Sequence, residues 1–292
     1  MTSESMRAVL IKDGKGPVQN LYIGETPKPK PGAGQVLVKA CLTFGLNRMD
    51  ISQREGNYPP PPGSSSILGV EFSGSIVELG PNTSDYKVGS EVLGLVGGGA
   101  YAEYVVCWEK LVIPKPSHLT WVEAASIPEN FFTAFQSLVL CSNLKEGDDV
   151  LIHAGASGVG IAAIQLSRVL GAKTVTATAS TKDKLDLLLA MPNGATHVAN
   201  YKTQDFSAEV KKTTDGRGVN VLIDFVGQSH WNKNIDSLAL EGKMTMLALL
   251  SGSKVPSANI APILSKRLRI QGSTLRSRTV DYQTNLVQRS VG

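Results

Sequence analysis

The sequence holds few of the residues that build disulfide scaffolds or metal clusters. Among 292 residues there are three cysteines and four histidines. Cys41, Cys107 and Cys141 stand far apart in apolar segments, the pattern of reduced, buried thiols in a cytosolic protein and not of a covalent staple. His118, His153, His197 and His230 show no metal-ligand spacing and no paired nucleophile, and read as structural. No run of eighteen apolar residues occurs, and residues 1–6 are polar where an apolar leader would sit. The expected address is therefore cytoplasmic, with no membrane partner. Charge of one sign is not concentrated either: the formal net charge is +4, but no dense Lys/Arg run accompanies it, which makes nucleic acid an unlikely partner.

What is present is an ordinary globular composition, 42% apolar and 18% charged, on a chain long enough to favour two cores over one. Short β-branched runs at 7–12, 20–25 and 35–41 predict strands, a brief helix is expected over 47–54, and further strands over 67–80, 91–96 and 101–106. Many strands with little helix predict a compact, barrel-like β domain. The pattern changes near Trp121, where helical spacing begins and Pro128 separates two short helices. Strands at 150–153, 174–178, 197–201, 219–225 and 244–249 then alternate with helical segments, which predicts an α/β fold with a doubly wound parallel sheet. The domain reading is 1–125, with 276–292 starting a return to it, and 126–275.

The chain is organised around Asp149-Val-Leu-Ile-His-Ala-Gly-Ala-Ser-Gly-Val-Gly160, an apolar strand running into a glycine turn and then a helix. Gly155 and Gly160 stand where a dinucleotide turn needs its first and third glycines, Ser157 takes the middle position, and Gly158 and Val159 open the helix. A pyrophosphate can reach backbone N–H groups there only if no bulky side chain intervenes. The next strand ends without the carboxylate that would hold a ribose 2′-hydroxyl. It runs instead into Ser180, Thr181, Lys182 and Lys184, hydroxyls and cations suited to a 2′-phosphate, so the expected cofactor is NADPH.

The segments Leu46-Asn47-Arg48-Met49-Asp50, Ile67-Leu68-Gly69-Val70-Glu71-Phe72-Ser73-Gly74, Ile127-Pro128-Glu129, Thr133-Ala134-Phe135, 153–160 and Asp224-Phe225-Val226-Gly227 resemble the quinone oxidoreductase branch of the medium-chain dehydrogenase/reductases. The resemblance implies a GroES-like catalytic domain beside a Rossmann domain, NADPH as hydride donor, and a homodimer or homotetramer. It implies roles for Tyr58 as a donor to the acceptor oxygen, for Asn47 in orienting acceptor or nicotinamide, and for Ser157 facing both. It implies cofactor contacts at Thr133, Ser180 or Thr181, Lys184, Tyr201, Phe225, Gly227, Leu275 and Arg276. Residues 191–193 look like a short insertion that could displace Tyr201.

Zinc-dependent relatives carry Cys at the position of Asn47 and His at that of Val70, so the resemblance implies hydride transfer without a metal. The expected acceptor is a quinone; an enone or alkenal would use nearly the same residues, and a cofactor binder with little turnover is the alternative from another class. Family members continue beyond Val291-Gly292 with a helix and a closing strand. The sequence ends within the helix that begins near Asp281, and the expectation is an uncovered sheet edge in the first domain.

Overall fold

In a computed structural model, residues 4–42 and 45–291 are described; residues 1–3, the approach to the first helix at Thr43 and Phe44, and Gly292 lie outside the described residues. Contacts divide the chain into two units, one of residues 1–132 with 275–292 and one of residues 133–274.

In the first unit, β1 (Ser5–Ile11) and β2 (Leu21–Pro27) form an antiparallel hairpin. Beside it in sequence come β3 (Gln35–Leu42), β4 (Glu71–Leu79), β5 (Glu91–Leu95), β6 (Tyr104–Trp108) and β7 (Val112–Pro114), which form an antiparallel sheet in the order β6-β3-β4-β5-β7. Its interior is filled by Val36, Leu37, Val38, Phe72, Ile76 and Val92, all without solvent exposure. Two expected strands move. The one expected over 67–80 starts only at Glu71, because the chain turns at Gly69, whose N–H donates to Asp50 Oδ1 (3.1 Å). The one expected over 101–106 starts at Tyr104, because Tyr101 and Glu103 bond instead to β1, through Val9 N to Tyr101 O and Glu103 N to Arg7 O. Cys41 is exposed, not buried: it lies beyond Lys39, the last β3 residue that pairs with β6.

Helix α1 (Arg48–Arg54) starts where Asn47 leaves the extended region, and Asp50 Oδ2 reaches back to accept from Asn47 N (2.8 Å). Two short helices follow β7, α2 (Trp121–Ala125) and α3 (Pro128–Phe135), with Pro128 opening the second as its fixed φ allows. The unit division falls inside α3.

The second unit is a six-stranded parallel sheet in the order β10-β9-β8-β11-β12-β13. Its strands are β8 (Asp149–Ile152), β9 (Thr174–Ala179), β10 (His197–Asn200), β11 (Val219–Asp224), β12 (Leu238–Met246) and β13 (Arg269–Gly272). The connecting helices are α4 (Gly158–Val169), α5 (Lys182–Ala190), α6 (Phe206–Thr213), α7 (Trp231–Ser237) and α8 (Ala261–Ser265), and α9 (Val280–Val291) closes the chain in the first unit. Near-continuous apolar strands are what a parallel sheet needs, and β8 and β9 are buried along their full length. The chain runs outward from β8 to β10, then returns to β11 on the other side of β8. That reversal is a topological switch point, where open α/β sheets bind ligands beyond the carboxyl ends of their strands. None of the helices among the described residues is long and apolar enough to cross a membrane.

Candidate active site

The glycine turn begins at His153, which has no solvent exposure. Its Nδ1 pairs with Thr178 Oγ1 (2.9 Å) and its Nε2 with Asn234 Oδ1 (2.7 Å), while burial pushes its pKa down to about 4. A neutral imidazole thus ties the end of β8 to β9 and α7. Ala154 follows in the left-handed region (φ 47), an uncommon conformation for a residue with a Cβ. Gly155 N donates to Thr178 O (2.9 Å), and a Cβ on Gly155 would come within 2.9 Å of Leu188 Cδ1. A Cβ on Gly160 would stand 2.4 Å from Ala154 O. Gly160 thus packs backbone to backbone against the turn, while Gly155 lies close against the side chains of Leu188 and Ala177.

Ser157 is the N-cap of α4, its Oγ accepting from Gly160 N (3.1 Å). As in any helix, the N–H groups of Gly158 and Val159 have no intrahelical acceptor, and with the helix dipole they form an anion cradle. The hydroxyl hydrogen of Ser157 remains available for donation, since the cap uses the oxygen only as an acceptor.

The other cofactor candidates of this unit gather at the same end of the sheet. β9 ends at Ala179, and Asn200 of β10 lies opposite it, so Ser180 and Tyr201 leave neighbouring strands side by side. Thr181 holds the N-cap position of α5 without a side-chain capping bond, and Lys184 stands exposed in its first turn. Lys182 is turned along the helix to Asp186 (2.5 Å). The 191–193 segment is absorbed between α5 and β10, with Ala195 N donating to Leu188 O (2.8 Å), and it leaves the β9–β10 register intact. At the end of β11 the buried Asp224 accepts from Val226 N (2.8 Å) and Gly227 N (3.1 Å). That fold-back sets Gly227 at φ 80, a glycine conformation, next to the buried Phe225. Thr133, on α3, is 9% exposed.

The first unit holds the remaining candidates. Asn47 Nδ2 donates to Glu71 Oε1 (3.1 Å) and Gly45 O (3.3 Å), while Glu71 Oε2 accepts from Glu129 N (2.9 Å). Burial pushes Glu71 up to about 7, against the hydrogen bonds from Glu129 and Asn47 that lower it. Asp50, also raised by burial, accepts from Gly69 N and lies 3.1 Å from the Tyr101 hydroxyl. Tyr58 is half-buried, with the Arg276 guanidinium 5.6 Å from its ring centre. Arg276 itself is 5% exposed; its Nε donates to Gly97 O (2.8 Å) and its Nη2 to Gln53 Oε1 (2.6 Å). Leu275 is buried beside it in sequence. Two of the three guanidinium nitrogens of Arg276 thus bond within the first unit. Glu71, Asp50, Tyr101 and Gln53 escape a reading of the sequence, because Gly69-Val70-Glu71 draws attention there only for the metal ligand it lacks.

Family models match both parts of the chain: the alcohol dehydrogenase GroES-like domain over residues 32–117, and zinc-binding dehydrogenase over residues 158–290. A solved NAD-dependent alcohol dehydrogenase is 31% identical, with a TM-score of 0.82 over 98% of this chain and 90% of that one. The chain belongs to the medium-chain dehydrogenase/reductase superfamily. Quinone oxidoreductase from Pseudomonas syringae pv. Tomato DC3000 is 27% identical with a TM-score of 0.84, covering 98% of this chain and 87% of its own. The mycobacterial protein Rv1454c, solved in complex with NADPH, is 29% identical with a TM-score of 0.84, covering 98% and 88%. Among curated relatives, the phthioceranic/hydroxyphthioceranic acid synthase of Mycobacterium tuberculosis is 32% identical over 228 residues, 78% of this chain. The chain spans about a tenth of that relative's length.

For a medium-chain dehydrogenase/reductase, two non-protein groups have to be tested against the residues. A nicotinamide dinucleotide fits: the close-packed glycines at 155 and 160 and the capped α4 N-terminus provide the cradle its pyrophosphate needs. A catalytic zinc does not fit. Among the described residues no group of three or more His, Cys, Asp or Glu could hold a metal ion, Asn47 turns its amide nitrogen to Glu71, and Val70 is buried hydrocarbon.

Proposed function

We propose that this medium-chain reductase is an NADPH-dependent, zinc-independent oxidoreductase that reduces quinones, nearest in kind to the tumour-suppressor-inducible quinone oxidoreductase. The observation that carries the reading is the pairing of a turn with close-packed glycines at 155 and 160 with a β9 end that offers Ser180, Thr181 and an exposed Lys184 in place of a carboxylate. A 2′-phosphate gains charge-assisted hydrogen bonds from such a set, whereas a 2′-hydroxyl would lack its usual acceptor. The NADPH complex of Rv1454c supports the cofactor, and the P. syringae quinone oxidoreductase supports the acceptor.

When bound, the nicotinamide supplies a hydride. The chain's own residues do the rest. The α4 N-terminus binds the pyrophosphate, and Ser180, Thr181, Lys184 and Tyr201 hold the adenosine end. Gly227 and Phe225 form the floor at the end of β11. Asn47, with both amide hydrogens committed to Gly45 O and Glu71, presents its carbonyl oxygen as an acceptor for a hydroxyl or amide N–H. Tyr58 donates its hydroxyl to the acceptor oxygen that gains negative charge, a contact worth about 3–4 kcal/mol in comparable oxyanion sites. Positioning and hydrogen bonding suffice for this reaction, and no metal step is needed.

The same reading includes self-association. Among the described residues β13 ends the sheet order with one edge unpaired, and a second copy would satisfy its backbone groups. The test of the acceptor is NADPH oxidation against a panel of 9,10-phenanthrenequinone, 1,4-benzoquinone and a conjugated alkenal. Faster turnover of the quinones supports the proposal, and turnover confined to the alkenal overturns the quinone assignment while keeping the reductase.

A further inference from the structure

The first unit contains a buried cation whose environment the cofactor reading leaves unexplained. Arg276 is 5% exposed, and its two hydrogen bonds go to neutral oxygens, Gly97 O (2.8 Å) and Gln53 Oε1 (2.6 Å). Its third nitrogen, Nη1, is buried with no hydrogen-bond partner. An arginine stays charged at this burial, and a buried charge is costly unless something opposes it. Asp50 and Glu129 are the carboxyls whose fields reach it, but the group stacked nearest is the Tyr58 ring, 5.6 Å from the guanidinium carbon.

The clip around it joins three segments. Gln53 passes the hydrogen bond on, its Nε2 donating to Ser66 O (2.9 Å), so α1, the loop that carries Tyr58 and the Gly97 turn all close on one guanidinium. The segment that presents Arg276 is fixed in turn by Gln283 of α9, whose Nε2 donates to Leu275 O (3.2 Å) and Arg278 O (3.3 Å). A planar fork with donors to two separate segments and a face for an aromatic ring is work that lysine cannot do.

We propose that Arg276 is a positioning residue for Tyr58: its clipped guanidinium lies over the ring and sets a positive charge, bonded only to neutral oxygens, against the side chain whose hydroxyl meets an oxygen turning negative. The role is electrostatic and acts through Tyr58. It implies acceptors that become an oxyanion on taking up hydride, giving quinolates and enolates that are then protonated, over acceptors that build no charge on oxygen. The inference rests on the reading that Tyr58 donates to the acceptor.

The test uses the full chain with Arg276→Met, which keeps length and removes charge, Arg276→Lys, which keeps charge and loses the fork, and Tyr58→Phe. The first readout needs neither cofactor nor turnover: absorbance titration of bound 4-nitrophenol, whose apparent pKa reports the field at a phenolic oxygen. The expected result is a bound pKa below that of the free phenol in the wild type, returned toward the free value in Arg276→Met and held low in Arg276→Lys. The second is turnover of 9,10-phenanthrenequinone, where Arg276→Met should lower kcat by about tenfold or more with KM within about threefold. In the Tyr58→Phe background the same substitution should cost less than about threefold. Equal 4-nitrophenol pKa values in wild type and Arg276→Met, or no saturable 4-nitrophenol binding by the wild type, overturn the proposal. So does an undiminished loss in the Tyr58→Phe background. Failure of the wild type to oxidise NADPH with any acceptor would sink the reductase reading, and the 4-nitrophenol comparison would still decide the role of Arg276.

Discussion

The amide nitrogen of Asn47 donates to Oε1 of Glu71 across 3.1 Å, and this one bond decides what Asn47 can offer outward. With both of its amide hydrogens directed inward, to Glu71 and Gly45 O, all it can offer a ligand is a lone pair of the carbonyl oxygen that also takes part in the α1 capping box. Asn47→Leu should therefore weaken NADPH binding by about tenfold, since a lost acceptor strands a ligand donor. Fluorescence titration of NADPH measures it, and unchanged affinity would show that the carbonyl faces no ligand.

Glu71 gives the fold a pH dependence of its own. Its folded pKa is raised by burial to about 7, above its unfolded value, so the stability it contributes is complete below the unfolded pKa and is lost as pH rises to about 7. A shift of that size amounts to about 3 kcal/mol. The stability difference between Glu71→Gln and wild type should move in favour of the glutamine by that order between pH 5 and pH 8, read from urea unfolding at both. A constant difference would mean that the carboxyl titrates at its ordinary position.

His153 acts in the opposite direction. Its folded pKa is depressed by burial to about 4, so its contribution is present above the unfolded pKa near 6.5 and is lost as pH falls toward 4. His230, packed edge-on at 4.8 Å and also lowered to about 4, adds to the effect. The melting temperature of the wild type relative to His153→Gln should fall between pH 6.5 and 4, and at pH 7 the substitution should cost about 1–3 kcal/mol through lost bonds to Thr178 and Asn234.

Gly160→Ala tests the cradle. The added methyl would meet Ala154 O at 2.4 Å, a backbone atom that cannot move without opening the turn. Affinity for NADPH should drop by more than about tenfold while far-ultraviolet circular dichroism stays near wild type. A variant that binds as well as wild type would remove the cradle from the account.

Much of this architecture is written in local patterns. The strand, glycine turn and helix at 149–169 can be read because Gly155 and Gly160 each answer a close approach that a side chain would crowd, and the empty carboxylate position after β9 is visible as a plain absence. The site in the first unit is less legible for a physical reason. Glu71 and Asp50 look like ordinary charges in sequence, and only the fold removes them from water and places Asn47 and Tyr101 against them. Arg276 shows the same limit, since a segment more than two hundred residues from Gln53 returns to meet it. The short strands β7 and β13 carry too few residues to show a period.

The central claim is selective use of NADPH, and paired titration of the purified protein with NADPH and NADH tests it most directly, followed by 9,10-phenanthrenequinone with absorbance read at the nicotinamide band. The account predicts NADPH bound at least about tenfold more tightly than NADH, a preference reduced severalfold by Lys184→Ala, and rapid oxidation once quinone is added. Equal affinity for the two cofactors, or tight NADPH binding with no oxidation by quinone, would contradict it.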